Sequence, residues 1–137
     1  MSINCIRTLI EDANVSNPDK IALVFGNEKL TYRELFTKVN QIAYYLAELD
    51  LPKGSRIGLY SNKGIDQVIA ILAILSTNYV LVPLTKLLKA DQVEYIIGDC
   101  DIKCIITDKI KLESIEEIKF NGHIISYETS HKDLPSF

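Results

Sequence analysis

With 137 residues, 47% of them hydrophobic and 24% charged, the chain has the size and composition of one globular domain. Such a domain hides about two thirds of the surface its unfolded chain exposes. The net charge of -3, with lysines spread along the chain, gives no reason to expect a nucleic-acid partner. No basic start precedes a long apolar run at the N-terminus, and the longest apolar run is Val68 to Leu75, so neither a signal peptide nor a membrane span is expected. Three cysteines without a disulfide-framework spacing predict a reducing, cytoplasmic setting.

Ile3, Ile6, Leu9, Ile10 and Ala13 recur at helical spacing and predict an amphipathic opening helix. Asn17-Pro18-Asp19 ends it, because proline disfavours a helical residue before it. Ile21 to Phe25 reads as a strand, Gly26-Asn27 as a turn, and Lys29-Leu30-Thr31 as a returning strand. Thr31 and Glu34 have capping-box spacing. A long helix follows, with a stripe of Leu35, Val39, Ile42, Leu46 and Leu49, widened by Phe36, Ala43 and Ala47. Pro52 and Gly54 close it.

From Arg56 to Asp108 short apolar runs alternate with helical periods, the pattern of βαβ units and a parallel sheet. Strands are predicted at Arg56–Tyr60, Tyr79–Val82 and Lys103–Thr107, and helices at Ile65–Thr77 and Ala90–Gly98. The first of these helices is apolar nearly all round. It must therefore be covered on several sides, by this chain or by residues beyond it. Val93, Ile96, Ile97 and Cys100 mark the core face of the second. Leu112, Ile115 and Ile118 suggest a short helix and His123–Tyr127 a last strand. Residues 129–137 are expected to fray. Tyr44, Tyr45, Tyr60, Tyr79 and Tyr95 lie at or beside apolar positions and are expected to be half-buried by packing.

Several stretches carry a resemblance. They are Pro18-Asp19-Lys20-Ile21-Ala22-Leu23, Leu30-Thr31-Tyr32-Arg33-Glu34-Leu35, Gly54-Ser55-Arg56-Ile57-Gly58-Leu59 with Asn62, Tyr79-Val80-Leu81-Val82-Pro83-Leu84, and Gln92–Ile97 followed by Ile105-Ile106-Thr107. In this order they resemble the N-terminal part of the AMP-forming adenylating ligases, over roughly Ile6 to Asp108. That family includes the acyl-CoA synthetases, the luciferase-like enzymes and the adenylation domains of peptide synthetases. The resemblance implies an α/β fold, a mainly parallel sheet flanked by helices, with residues 1–137 as one N-terminal subdomain of a larger ligase. It further implies that the whole enzyme uses ATP and magnesium to convert a carboxylic acid into an acyl adenylate. The acyl group then passes to a thiol, either coenzyme A or a carrier protein's phosphopantetheine. Pro83-Leu84 with Leu87-Leu88-Lys89 and Gln92-Val93 looks closer to bacterial acyl-CoA ligases than to the peptide-synthetase form. Asn78 stands where the family has glycine, and Thr85 where it has Asp or Asn. Asparagine tolerates the left-handed conformation next best, so a helix stop at Asn78 is expected to survive.

Chemistry is sparse. None of the six glycines forms a Walker loop or a dinucleotide fingerprint. The family's Ser/Thr/Gly-rich ATP loop, ribose aspartate and C-terminal catalytic lysine match nothing here. The segment by itself is therefore expected to hold no cofactor and to catalyse nothing, and no residue is assigned a catalytic or metal-binding role. The best anion candidate is Ser61, Asn62, Lys63 and Gly64, between a strand end and a helix start where free N–H donors collect. Cys104 reads as core, and Cys100 with Cys104 does not read as a zinc pair. His123 and His131 pair with no nucleophile. Glu113, Glu116 and Glu117 read as a solvated helix face. The expected partner is the rest of the ligase polypeptide, with self-association through apolar surface as a substitute. Two alternatives remain open: a stand-alone, non-enzymatic interaction module derived from such a ligase, and a small flavodoxin-like nucleotide-binding domain.

Overall fold

The computed structural model describes residues 5–127. Helix α1 (Ile6–Ser16) leads into the strands β1 (Ile21–Phe25) and β2 (Glu28–Thr31), and then into the long helix α2 (Tyr32–Glu48). The rest alternates: β3 (Arg56–Tyr60), α3 (Ile65–Leu75), β4 (Val80–Leu84), α4 (Ala90–Asp99), β5 (Ile102–Asp108), α5 (Lys109–Glu116) and β6 (His123–Tyr127). Strands β3 to β6 form one parallel sheet in the order β4-β3-β5-β6, and β1 and β2 form a separate antiparallel hairpin. The α/β class read from the alternating pattern is the observed one. Ile3 of the predicted opening stripe, His131 and the predicted frayed tail at 129–137 lie outside the described residues.

The two faces of the sheet bury different helices. Ile57, Leu59, Cys104 and Ile106 point to the face covered by α2 and α3. Tyr60, Ile102 and Ile105 point to the other, where Val93 and Ile97 of α4 and Ile115 of α5 pack. Alternation along the strands produces this division, except that a register shift in β5, where Arg56 pairs with Ile102 and Ile57 with Cys104, sets Ile102 and Cys104 on opposite faces although they are two positions apart. Gly58 belongs to the second face: a methyl group there would meet Ile102 Cδ1 at 3.3 Å.

Helix α3 receives the cover its composition demands. Ile69, Ala70, Ala73 and Ile74 are fully buried between the sheet and α2, whereas Ile71 and Leu72 are half-buried and Leu75 is exposed. The helix stops at Leu75, two residues short of the predicted Thr77. No left-handed residue stops it: among the non-glycine described residues positive φ occurs at Asp50 and Asp101, and Asn78 is not one of them. Instead the Ser76 hydroxyl donates to Leu72 O at 2.7 Å and the Thr77 hydroxyl to Ile74 O at 2.6 Å, each adding a second donor to a carbonyl that already accepts the same residue's backbone N–H.

Other expectations needed correction. In α1, Ile10 is buried but Leu9 is exposed. Ala47 of the α2 stripe is exposed. Tyr44 and Tyr95 are 68% and 73% exposed rather than half-buried. Each stands two positions beyond a buried residue, Ile42 or Val93, and two steps of about 100° carry a helical side chain to the opposite side. Cys104 is core, His123 opens β6 on the surface, and Glu113, Glu116 and Glu117 are exposed.

Candidate functional site

The sheet reverses its winding between β3 and β5. The chain leaves β3 through α3 on one face and leaves β5 through α5 on the other. In open α/β sheets the crevice beyond the carboxyl ends at such a reversal is the usual ligand position. The candidate residues Ser61, Asn62, Lys63 and Gly64 stand there, at the end of β3.

In this chain the crevice is bridged by its own carboxylate. Asp108, at the end of β5, is fully buried. Its Oδ2 accepts the Asn62 backbone N–H at 2.6 Å and Asn62 Nδ2 at 3.0 Å. Its Oδ1 accepts the Lys111 N–H at 2.8 Å, which makes Asp108 the N-cap of α5. One side chain thus ties the β3–α3 loop to the α5 start. Beside it the Thr107 hydroxyl donates to Tyr60 O at 2.7 Å, fastening β5 to β3.

A small cavity of about 100 Å³ remains among Asn62, Gly64, Asp66, Asp108 and Tyr127. Tyr127, which lines it, and Ser61, next to Asn62 in the chain, are both buried. Burial raises the Tyr127 phenol above its ordinary range, and the Asp108 and Asp66 carboxylates push the same way. The Ser61 hydroxyl is near enough to oppose that rise, yet the two hydroxyls fall short of hydrogen-bond geometry. Lys63 is exposed, and Asp66 sits buried in the first turn of α3. The structure therefore brings Asn62 and Gly64 together with Asp66, Asp108 and Tyr127, which the sequence reading had not joined to them. A signal for Asp108 existed: aspartate directly before a helical period is an N-cap pattern. Its reach to Asn62, 46 residues away, had none.

The neighbouring β4–α4 loop is also tied down. The Tyr60 hydroxyl donates to Leu88 O at 2.7 Å. Lys111 Nζ lies 5.3 Å from the centre of the Tyr60 ring and donates to Lys86 O at 2.7 Å. Among the described residues no group of three or more His, Cys, Asp or Glu side chains is placed to hold a metal ion, and no helix is long and apolar enough to cross a membrane.

This fold, an open parallel sheet with a hairpin and helix before it, is that of the adenylating enzymes. The anthranilate CoA ligase AuaEII, solved with anthranoyl-AMP, superposes with a TM-score of 0.82 over 90% of this chain and 25% of that one, at 24% identity. The sequence then fixes the family: residues 10–135 match the AMP-binding enzyme family, and the chain belongs to it. Tyrocidine synthase 1 of Brevibacillus parabrevis is 32% identical over 93% of this chain and 12% of its own length. A medium/long-chain-fatty-acid–CoA/3-oxocholest-4-en-26-oate–CoA ligase of Mycobacterium marinum is 31% identical over 76% of this chain and 19% of its own. The chain thus spans less than a fifth of the length of each of these two relatives, so the matched region is a segment of a larger polypeptide in both. Identities this close do not separate the peptide-synthetase form from the CoA-ligase form that the Pro83–Val93 stretch suggested.

Proposed function

We propose that this chain is the N-terminal subdomain of an AMP-forming ligase and that residues 1–137 fold as one unit within it. The observation that carries the proposal is the family match over residues 10–135. In the reaction of such a ligase, a carboxylate oxygen attacks the α-phosphorus of ATP and pyrophosphate leaves. The sulfur of a thiol, coenzyme A or phosphopantetheine, then attacks the acyl carbon and AMP leaves.

We read the Ser61–Gly64 loop as a poor site for a nucleotide phosphate. The Asn62 N–H is spent on Asp108, and Asp66 occupies the first turn of α3, where an incoming anion would have to sit. The cavity of about 100 Å³ is also far smaller than a nucleotide needs. We therefore assign ATP, magnesium and the thiol to the rest of the polypeptide, and to this chain the role of holding one wall of the sheet rigid. Free thiols at Cys5, Cys100 and Cys104 support a reducing, cytoplasmic location.

The test is carboxylate-dependent exchange of pyrophosphate into ATP by the complete reading frame that carries this chain. Exchange with at least one acid from a panel of amino, aryl and fatty acids is the expected result, with none from residues 1–137 alone. Absence of exchange with every acid, in a long form that is folded, overturns the ligase reading.

A further inference from the structure

The four-stranded sheet ends on two edges that are built differently. The Val80 N–H donates to Ser55 O at 2.9 Å. Main-chain groups alternate sides along a strand, so Val80, Val82 and Leu84 turn theirs to β3, and Leu81 and Pro83 turn theirs outward. The missing N–H of Pro83 is therefore on the open side, where it costs the sheet no hydrogen bond. Strand β4 suits an edge.

Strand β6 does not. The same alternation, carried through the regular registers from Ile57 onward, turns His123, Ile125 and Tyr127 to β5 and turns Ile124 and Ser126 outward. Both outward residues carry an N–H and a C=O, and no described strand meets them. Proline, charged side chains and bulges, the usual devices that blunt an edge, are all missing from Ile124–Tyr127.

The strand order says where the sheet continues. Counted from β3, the order β4-β3-β5-β6 is 2-1-3-4, which is the doubly wound order 2-1-3-4-5 without its last strand. That strand stands beside the fourth, here β6. Strand β6 ends at Tyr127, so a further parallel strand needs a crossover of about a dozen residues or more, usually a helix. The preceding crossover, α5, lies on the face of Tyr60, Ile102 and Ile105, where Ile115 packs. A second right-handed crossover in the same direction takes the same face. Ile125 and Tyr127 point to the other face, so Ile124 points to this one, and it is 40% exposed. An apolar side chain is thus open at the place where that helix would lie.

We propose that polypeptide beyond residue 137 supplies this helix and a fifth parallel strand, paired to Ile124 and Ser126 of β6. The inference rests on the reading of this chain as a subdomain of a longer ligase. The relatives, of which it spans less than a fifth, have ample chain for both elements. A second copy fits less well. Two β6 edges facing each other across a two-fold axis pair antiparallel, and they leave Ile124 without its helix.

Hydrogen exchange on the complete ligase, read at single amides, tests the pairing. Ile124 and Ser126 should exchange at least about 100-fold more slowly than in an unstructured chain, as Ile125 does. Unstructured rates at Ile124 and Ser126 beside a slow Ile125 would leave the edge open and overturn the proposal. Protection that disappears on dilution would assign the edge to a second copy and overturn it too. The helix has its own readout. In Ile124→Cys the native thiol should react with a disulfide reagent at least about tenfold more slowly than after unfolding, and a smaller difference refutes a helix over β6. Pyrophosphate exchange on the same protein keeps the two readings apart. Exchange without amide protection sinks this inference alone, whereas protection without exchange sinks only the ligase chemistry.

Discussion

Asp108 illustrates how much one side chain holds. Its carboxylate accepts three hydrogen bonds in full burial, from two elements that diverge to opposite faces of the sheet. Replacing it by asparagine keeps the shape but turns a donor toward N–H groups that need an acceptor. Asp108→Asn should cost about 2–3 kcal/mol, read as a fall in the urea midpoint at unchanged slope. The cysteines differ by environment in the same way. Burial pushes the Cys104 thiol up to about 12 from 9.0, whereas hydrogen bonding to Thr8 lowers that of exposed Cys5. In native protein a thiol-specific disulfide reagent should modify Cys5 at once and leave Cys104 untouched until the chain is unfolded. The same burial sets a sign for pH. Between pH 9.0 and about 12 the unfolded chain loses the Cys104 proton that the folded chain keeps, so stability falls as pH rises through that window.

At the scale of elements, α2 begins on a complete capping box. The Glu34 N–H donates to the Thr31 hydroxyl at 3.2 Å, and Glu34 Oε2 accepts the Thr31 N–H at 2.8 Å. Thr31→Ala should therefore cost about 1 kcal/mol in urea unfolding. The backbone N–H of Thr31, then its hydroxyl, hold the Glu34 carboxyl below its ordinary value of 4.5. A depressed folded value means the stabilisation is present above 4.5 and is lost as pH falls through the folded value. The stability gap between the wild type and Glu34→Gln should accordingly be open at neutral pH and close in acid. A gap unchanged in acid would place the effect in packing rather than charge. Helix α3 teaches the complementary lesson. Its nearly continuous apolar surface announced burial, but only packing against α2 and the sheet selected Ile69, Ala70, Ala73 and Ile74 as the inner residues.

At the scale of the molecule, the sheet has two edges, β4 and β6. Pro83 lies in β4 and lacks an N–H, which blunts that edge. Strand β6 has no proline, and Ile124 on it is 40% exposed. We expect the rest of the ligase to cover apolar surface of this kind and, in its absence, a second copy to do so. Sedimentation velocity on the isolated chain should then show mass rising with concentration, and Ile124→Lys should return it to monomer. A wild type that stays monomeric throughout removes self-association from the account.

The order and type of the elements were legible in the sequence because they follow from local periodicity. Helices repeat near 3.6 residues and strands at 2, and the capping box spans only three positions. Family membership was legible for the same reason, in short segments such as Gly54–Leu59 and Tyr79–Leu84. The tertiary structure alone decided which of two apolar-looking neighbours turns inward, as with Leu9 and Ile10 or Ala43 and Ala47. It alone set Asp108 against Asn62, bridging the crevice beside the Ser61–Gly64 loop. Those groups lie far apart along the chain. No local pattern encodes a contact of that separation, which appears only when the sheet winds and brings its strand ends together.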